Sequence, residues 1–354
     1  MKRMTVFRKP RIDKQAELAN CTFVKTILML TVVLYHATQF WGGNWFEYQT
    51  PVLQAKPLTV LASWLNTFHI YGFVLVSGYL FYYLKHEKGK YTDFLPFVAN
   101  KAKRLLVPYA FVSLVWVIPF AVYFFHYDLK DVILKFAFGT SPNQLWFLLM
   151  LFFVFMLFHP TSSFFQKHNI AGAILVLFAY GIGMIGWYLD WNVFQIFRAF
   201  TYLPLFWIGF KIRQYGSDGL RKVPLFVYLL AHTLLFLFAR FLSRLDGAFF
   251  VLLHQGFSFV LRILGAVTAF LVLQDLASHT SVAKSNALRF LGKHSMVVYL
   301  LHQQIIYVCI CLLNGLVNPY IHASVNFVVS MVLSLGVSAL LNKFKFTRIL
   351  IGEK

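Results

Sequence analysis

The chain has 354 residues, of which 59% are hydrophobic and only 12% charged. Long uncharged runs recur along its length, which excludes a soluble domain with a large core and marks a polytopic membrane protein. A formal charge of +20 would suggest nucleic acid in a soluble chain. Here the Lys and Arg lie mainly in alternate loops, so no nucleic-acid partner is expected and the bilayer is the first partner.

In chain order, residues 1–20 form a basic, polar tail. No small-residue cleavage site follows it, so the first hydrophobic helix is expected to stay uncleaved. Apolar runs then predict ten spans, at about 21–41, 58–84, 105–127, 144–160, 170–189, 193–212, 224–242, 247–273, 291–313 and 321–342. The expected fold is therefore all-α, with one transmembrane domain over 21–342 and a short tail over 343–354. The outer loops carry only Lys56, Lys130, Lys135, Arg240 and Arg244, far fewer basic residues than the tails and the other loops. That asymmetry places both termini in the cytoplasm of a multi-pass cell-membrane protein. No internal repeat appears, which weakens a transporter built from duplicated halves. The 41 Phe suit lipid contact and helix packing, and Cys21, Cys309 and Cys311 read as packing residues.

The first span carries Lys25 and His36. Eleven residues make three helical turns plus roughly 20°, so both side chains share one stripe, about 16 Å apart in rise. A lone histidine in a soluble core is most simply structural. Sharing a membrane-buried stripe with a lysine makes chemistry the better reading, and an imidazole suits general-base work on a hydroxyl. In the second span, His69 falls at a comparable depth, with Ser77-Gly78-Tyr79 deeper. Small residues there would also serve close helix packing. No span holds a central acid, and a Ser-His-Asp triad would need a loop residue such as Glu47 or Asp128, so none is expected.

The loop 85–104 is densely basic. Thr92-Asp93 is placed to cap a short interfacial helix ending in Lys101, Lys103 and Arg104, just before the third span. Lys101 and Arg104, three apart, share a face beside a helix N-terminus, where anions are favoured. Such a cluster also suits ordinary contact with lipid phosphate. Arg198 and Arg262 lie within spans and should face the bundle interior; they stand in reserve as basic groups for a donor site. Ser295, Tyr299 and His302 share one face of the ninth span. Trp41 and Trp45, around Gly42-Gly43, read as an interfacial aromatic belt before a sugar-stacking platform.

Together these motifs resemble the acyltransferase family 3 membrane proteins, over the whole chain. Lys25 and His36 with ten residues between them look like that family's basic-residue-to-histidine motif. Phe68-His69 with Phe73 and Ser77-Gly78-Tyr79 resembles its second motif, and Lys101-x-x-Arg104 before Pro108-Tyr109 its cytoplasmic one. Trp146-Phe147-Leu148 resembles the fourth-span signature, and Leu291-Gly292 through Tyr299 to His302 the closing one. Lysine stands at Lys25 and Lys101 where arginine is common, which keeps charge but loses bidentate geometry. Lysine at the first position resembles the branch of fucose 4-O-acetylase-like and exopolysaccharide acyltransferases.

The resemblance implies transfer of an acyl group, most simply acetyl, to a hydroxyl of a cell-surface polysaccharide or its lipid-linked precursor. Acetyl-CoA or another acyl-CoA would be the co-substrate, with no bound cofactor and no metal. Lys25, Lys101, Lys103 and Arg104 would hold the donor. His36 and His69 would be catalytic, as proton acceptor or transient acyl carrier. Ser77, Tyr79, Trp146, Arg198, Arg262, Ser295, Tyr299 and His302 would support them. Without the fused extracytoplasmic domain of many relatives, transfer is expected to finish within the membrane part or pass to polysaccharide synthesis or export proteins. The competing reading is a transporter or flippase for lipid-linked sugar; a structural synthase subunit is disfavoured by the buried His and Arg.

Overall fold

A computed structural model describes residues 13–43, 45–46, 48–140 and 143–353. Among them there is no strand, and ten helical runs are long and apolar enough to cross a membrane. The helices are α1 (Lys14–Gln39), α2 (Lys56–Leu65), α3 (His69–Tyr82), α4 (Phe94–Lys101), α5 (Val107–Val112), α6 (Ile118–Phe125), α7 (Leu129–Ala137) and α8 (Trp146–Lys167). They continue as α9 (Asn169–Tyr188), α10 (Ile196–Tyr215), α11 (Leu225–Leu242), α12 (Ala248–His279), α13 (Asn286–Leu313), α14 (Pro319–Leu341) and α15 (Lys345–Leu350). With ten crossings, the two ends of the chain lie on one face, called here the N-terminal face.

The first span begins two turns earlier than hydropathy alone suggests. Asp13 caps α1 by accepting from the Gln15 and Ala16 amides at 2.9 and 2.7 Å, which supplies partners for otherwise free N–H groups. This extension carries Glu17 into the bundle, where it is 1% exposed. The expected interfacial helix before the third span is not separate. Residues 94–125 form one helical run interrupted by π turns at Ala102–Leu106 and Ser113–Val117. Pro108 and Pro119 follow these turns closely. A proline removes an N–H and clashes with the preceding turn, and a widened turn relieves both. Asp93 occupies the N-cap position without a side-chain cap bond.

The second span is broken between α2 and α3. Thr67 bonds back to the Trp64 carbonyl at 2.6 Å and meets His232 Nε2 of α11 at 2.9 Å. The break makes His69 the first residue of α3.

Helix α3 is the centre of the bundle, packed against α1, α10 and α12. Its contact with α10 is backbone to backbone. A Cβ on Gly78 would lie 1.9 Å from the Phe206 carbonyl oxygen, and one on Gly209 would lie 1.8 Å from that of Leu75. No other residue fits at either position, so Ser77-Gly78 serves packing as well as lining. The core of Val24, Leu28, Val74, Leu75, Phe158, Phe206 and Phe270 surrounds this crossing. Large apolar side chains point outward from α9 and α11, including Ile170, Phe178, Phe226 and Leu234, as lipid-facing helices require.

Candidate functional site

Three histidines meet where α1, α3 and α13 pack. His302 is fully buried, and its Nδ1 faces the Val298 and Tyr299 carbonyls, each at 2.9 Å. Two acceptors at Nδ1 require the proton there, leaving the Nε2 lone pair free. That Nε2 lies 3.0 Å from His36 Nδ1, which also faces the Val32 carbonyl at 3.1 Å. His36 therefore donates from Nδ1, and its Nε2 carries an open lone pair. The pairing of α1 with α13 thus fixes both the tautomer and the direction of the ring. His69 donates from Nδ1 to the Leu65 carbonyl at 2.6 Å, across the α2–α3 break. Tyr35 stacks on His69 at 4.7 Å and meets His36 edge-on at 4.9 Å. Among the described residues, no three His, Cys, Asp or Glu side chains converge as metal ligands.

Trp45 lies 5.6 Å from the His36 ring and 5.0 Å from Tyr307, while Trp41 is buried and donates to the Leu53 carbonyl at 3.0 Å. Trp45 therefore folds inward over His36, and Trp41 is buried against His322, instead of forming a lipid belt. Glu47, named above as a loop acid, lies outside the described residues, and Asp128 caps α7 through the Asp131 amide.

A cavity of about 530 Å³ leads toward this cluster from the N-terminal face. Lys101, Arg104, Lys293, Arg348 and Glu353 form its mouth, and Lys25 and Ser77 line its wall. Its deep end is reached at Val32, Ile70, Phe147 and Tyr299. Val32 is one turn below His36, about 6 Å of rise, and Ile70 adjoins His69. The Lys101 ammonium is 8% exposed and sits 3.6 Å from the Phe155 ring centre, with Tyr91 at 5.1 Å and Phe97 at 5.4 Å. Burial holds the Tyr91 phenol above its ordinary pKa, against the lowering effect of Arg104. Lys103 is exposed and does not line the cavity. Ser295 also lines it, while Tyr299 donates to the Gln144 carbonyl. Gly352, at φ +75°, brings the C-terminal segment against the Arg104 carbonyl, where a Cβ would clash at 2.8 Å.

Arg198, Arg262 and Trp146 are elsewhere. They line a second cavity, of about 400 Å³, at the opposite end of the spans. Arg198 lies over Trp146 at 4.5 Å, and Arg262 over Tyr71 at 5.4 Å. They are not placed to serve a donor entering at the N-terminal face.

Tyr79 also points away from the first cavity. It donates to Glu17 at 3.2 Å and accepts from Arg213 at 3.0 Å. Arg213 makes a bidentate pair with Glu87 at 2.7 and 2.6 Å and donates to the Lys14 carbonyl at 2.6 Å. Ser217 donates to Glu17, and Arg221 approaches it at 3.5 Å. This cluster ties α1, α3 and α10 together on the N-terminal face. Glu17 escaped the sequence reading because it precedes the apolar run. The reciprocal amide pair of Gln144 and Gln304, at 2.7 and 3.1 Å, was likewise invisible; it holds the start of α8 against α13 near the histidines.

The sequence model of a family described as an acyltransferase domain matches residues 19–343. No curated protein and no solved structure shows significant similarity to the chain.

Proposed function

The chain belongs to that family, acyltransferase family 3, and from this premise we propose that it is a membrane O-acyltransferase moving an acyl group across the bilayer. The donor is acyl-CoA, acetyl-CoA first, entering from a cytoplasmic N-terminal face. The acceptor is a hydroxyl of a cell-surface polysaccharide or its lipid-linked precursor, met from the other side. One observation carries the reading: a single cavity runs from a basic mouth at Lys101 and Arg104 to Val32, one turn short of His36. The phosphates of CoA suit the mouth, and its extended thioester arm suits the narrow passage past Lys25. Lysine at position 25 favours the exopolysaccharide-modifying branch.

The chemistry follows from the tautomer of His36. Its Nε2 takes the proton of the acceptor hydroxyl as the oxygen attacks the thioester carbonyl. His302 accepts from Nδ1 and steadies the charge that forms. The C–O bond forms, the C–S bond breaks, and the CoA thiolate leaves, taking up the proton from His36. Free CoA and an O-acyl ester are the products. His69, on the adjoining helix and stacked on Tyr35, is the second candidate base.

Purified full-length protein in nanodiscs should release CoA from acetyl-CoA when glycan acceptor is present, and His36→Ala should not. CoA release at the protein-free rate in the unaltered protein would sink the reading. Cysteine labelling of single-cysteine variants at Lys103 from the cytoplasmic side tests the orientation at the same time.

A further inference from the structure

The second cavity has an unusual charge state for a membrane protein. Arg198 and Arg262 both line it, and among the described residues no carboxylate does and neither guanidinium makes an ion pair or a hydrogen bond. Both are half-buried, and holding two like charges partly out of water without an anion is costly. Arg213 shows what this chain does with a structural arginine, since it surrounds that one with Glu87, Tyr79 and a backbone carbonyl. Among the described residues, Arg198 and Arg262 lie instead over aromatic faces, Trp146 and Tyr71. A guanidinium lying over a ring keeps its in-plane donors open.

The rings themselves form a continuous wall. Tyr71 stacks on Tyr202 at 5.3 Å with 11° between planes, and Trp146 lies 6.0 Å from Tyr202. Asn66, Asn192 and Gln255 add amides to the same cavity. Its position is built into the backbone. Phe194 and Gln195 adopt left-handed conformations just before α10, held by Gln195 donating to the Gly139 and Thr140 carbonyls at 2.6 and 3.2 Å. That turn sets where Arg198 emerges. Consecutive residues then face opposite cavities: Ile70 and Phe147 line the first, and Tyr71 and Trp146 the second.

We propose that this second cavity is an anion subsite for the acceptor, taking a phosphate or carboxylate carried on or beside a sugar ring. Arg198 and Arg262 hold the oxyanion, and the Trp146, Tyr71 and Tyr202 wall takes the ring. The assignment rests on the acyl-transfer reading, because it places the acceptor one residue's width from the wall of the donor cavity. It also makes the acceptor an anionic glycan and not a neutral one.

The test uses full-length protein in phosphatidylcholine nanodiscs, with glucose 1-phosphate, glucuronate and glucose as probes and calorimetry as readout. The two anionic sugars should bind, and glucose should bind at least about tenfold more weakly, the loss expected for a charge-assisted contact. Arg198→Ala and Arg262→Ala should each weaken the anionic probes by roughly 10- to 100-fold, and Arg262→Lys should retain part of the binding. Acetyl-CoA binding should not change in any of them. Equal binding of glucose and glucose 1-phosphate would overturn the proposal without any variant having to fold. So would unchanged anionic-sugar binding in both alanine variants. Repeating the titration in phosphatidylglycerol nanodiscs separates the sources of the anion. Loss of glucose 1-phosphate binding there would assign the cavity to a lipid headgroup and overturn the acceptor role. Absence of acetyl-CoA binding alongside intact anionic-sugar binding would break the donor reading alone and leave the subsite standing.

Discussion

The two cavities are made of similar parts and differ in how those parts are arranged. Each combines cationic side chains with aromatic rings. In the cavity at the N-terminal face, Lys101 is caged by Phe155, Tyr91 and Phe97, Arg104 sits at the rim, and Glu353 and Arg348 share the mouth. The passage beyond is lined mainly by apolar side chains, Met29, Val32, Ile70, Phe73 and Phe147 among them, and leads toward His36. In the cavity at the other end, both arginines lie over flat rings and no acid is present among the described residues. Charge at the entrance of a narrow passage suits a ligand with an anionic head and a long arm. Charge set among stacked rings suits a ligand whose anion and ring are close together. The ingredients are shared; the spacing between charge and flat surface separates the two roles.

The sharpest way to break this division is at the histidine between them. His36→Ala should abolish transfer while leaving both acetyl-CoA and anionic-sugar binding in place, because the ring lines neither cavity. Proton transfer by a positioned base contributes about 10²–10⁴-fold, so turnover should fall to near background. Single-turnover acyl transfer in nanodiscs measures it. Retention of more than a tenth of the rate would remove His36 from the chemistry.

Arg104 tests the donor side. Arg104→Ala should raise the apparent KM for acetyl-CoA by roughly 10- to 100-fold, the size of one charge-assisted contact, and Arg104→Glu should do more through repulsion. The acceptor's apparent affinity, measured at saturating donor, should stay where it is. An equal effect on both substrates would mean that the cavities are not separate binding sites. Lys103→Ala provides the contrast, since Lys103 is exposed and off the cavity wall; its donor KM should barely move.

His302 tests positioning. His302→Gln leaves a side chain of similar reach but removes the fixed acceptor for His36 Nδ1. Loss of one hydrogen bond is worth about 0.5–1.5 kcal/mol, so kcat should fall by about 3- to 10-fold. Both KM values should hold, which a general loosening of the bundle would not produce. A rise in either KM with unchanged kcat would assign His302 to packing alone.

Much of this division was legible in the sequence, and the rest was hidden for identifiable reasons. Ten spans and their order follow from hydropathy, and the 3.6-residue period is enough to put Lys25 and His36 on one stripe and Lys101 beside Arg104. What failed was anything whose cause lies far along the chain. The first two turns of α1 read as tail because Lys14 and Glu17 are polar; they are helical because Arg213 and Ser217, about 200 residues on, supply partners. The His36–His302 pair spans 266 positions, and no local period predicts it. Separating Arg198 and Arg262 from the donor cations needed the left-handed turn at Phe194 and Gln195, which no glycine marks. The inward fold of Trp41 and Trp45 was missed because an aromatic beside a span has the same composition whether it faces lipid or a site.

The smallest expected effect comes from Glu353, an acid at the mouth of the donor cavity. Burial raises the pKa of Glu353 above the ordinary carboxyl value, with Asn342, Lys293 and Arg348 opposing. A carboxyl whose folded-state pKa is raised is held more firmly in its neutral form by the fold than by the unfolded chain. Its contribution to stability is therefore complete below the unfolded value and declines as pH rises through the folded one. The same titration acts on the donor. At low pH the mouth presents Arg104, Arg348 and Lys293 with a neutral carboxyl beside them. As pH rises through the raised pKa, a negative charge appears where the CoA phosphates would sit, and the apparent KM for acetyl-CoA should climb. The group is partly solvated, so screening limits the change to about two- to fivefold. Glu353→Gln should flatten this dependence and keep KM at the low-pH value of the unaltered protein, while the binding of glucose 1-phosphate at the other cavity follows an unchanged pH profile. A KM profile in Glu353→Gln that still climbs over the same range would place the titrating group elsewhere and detach the C-terminal segment from the donor site.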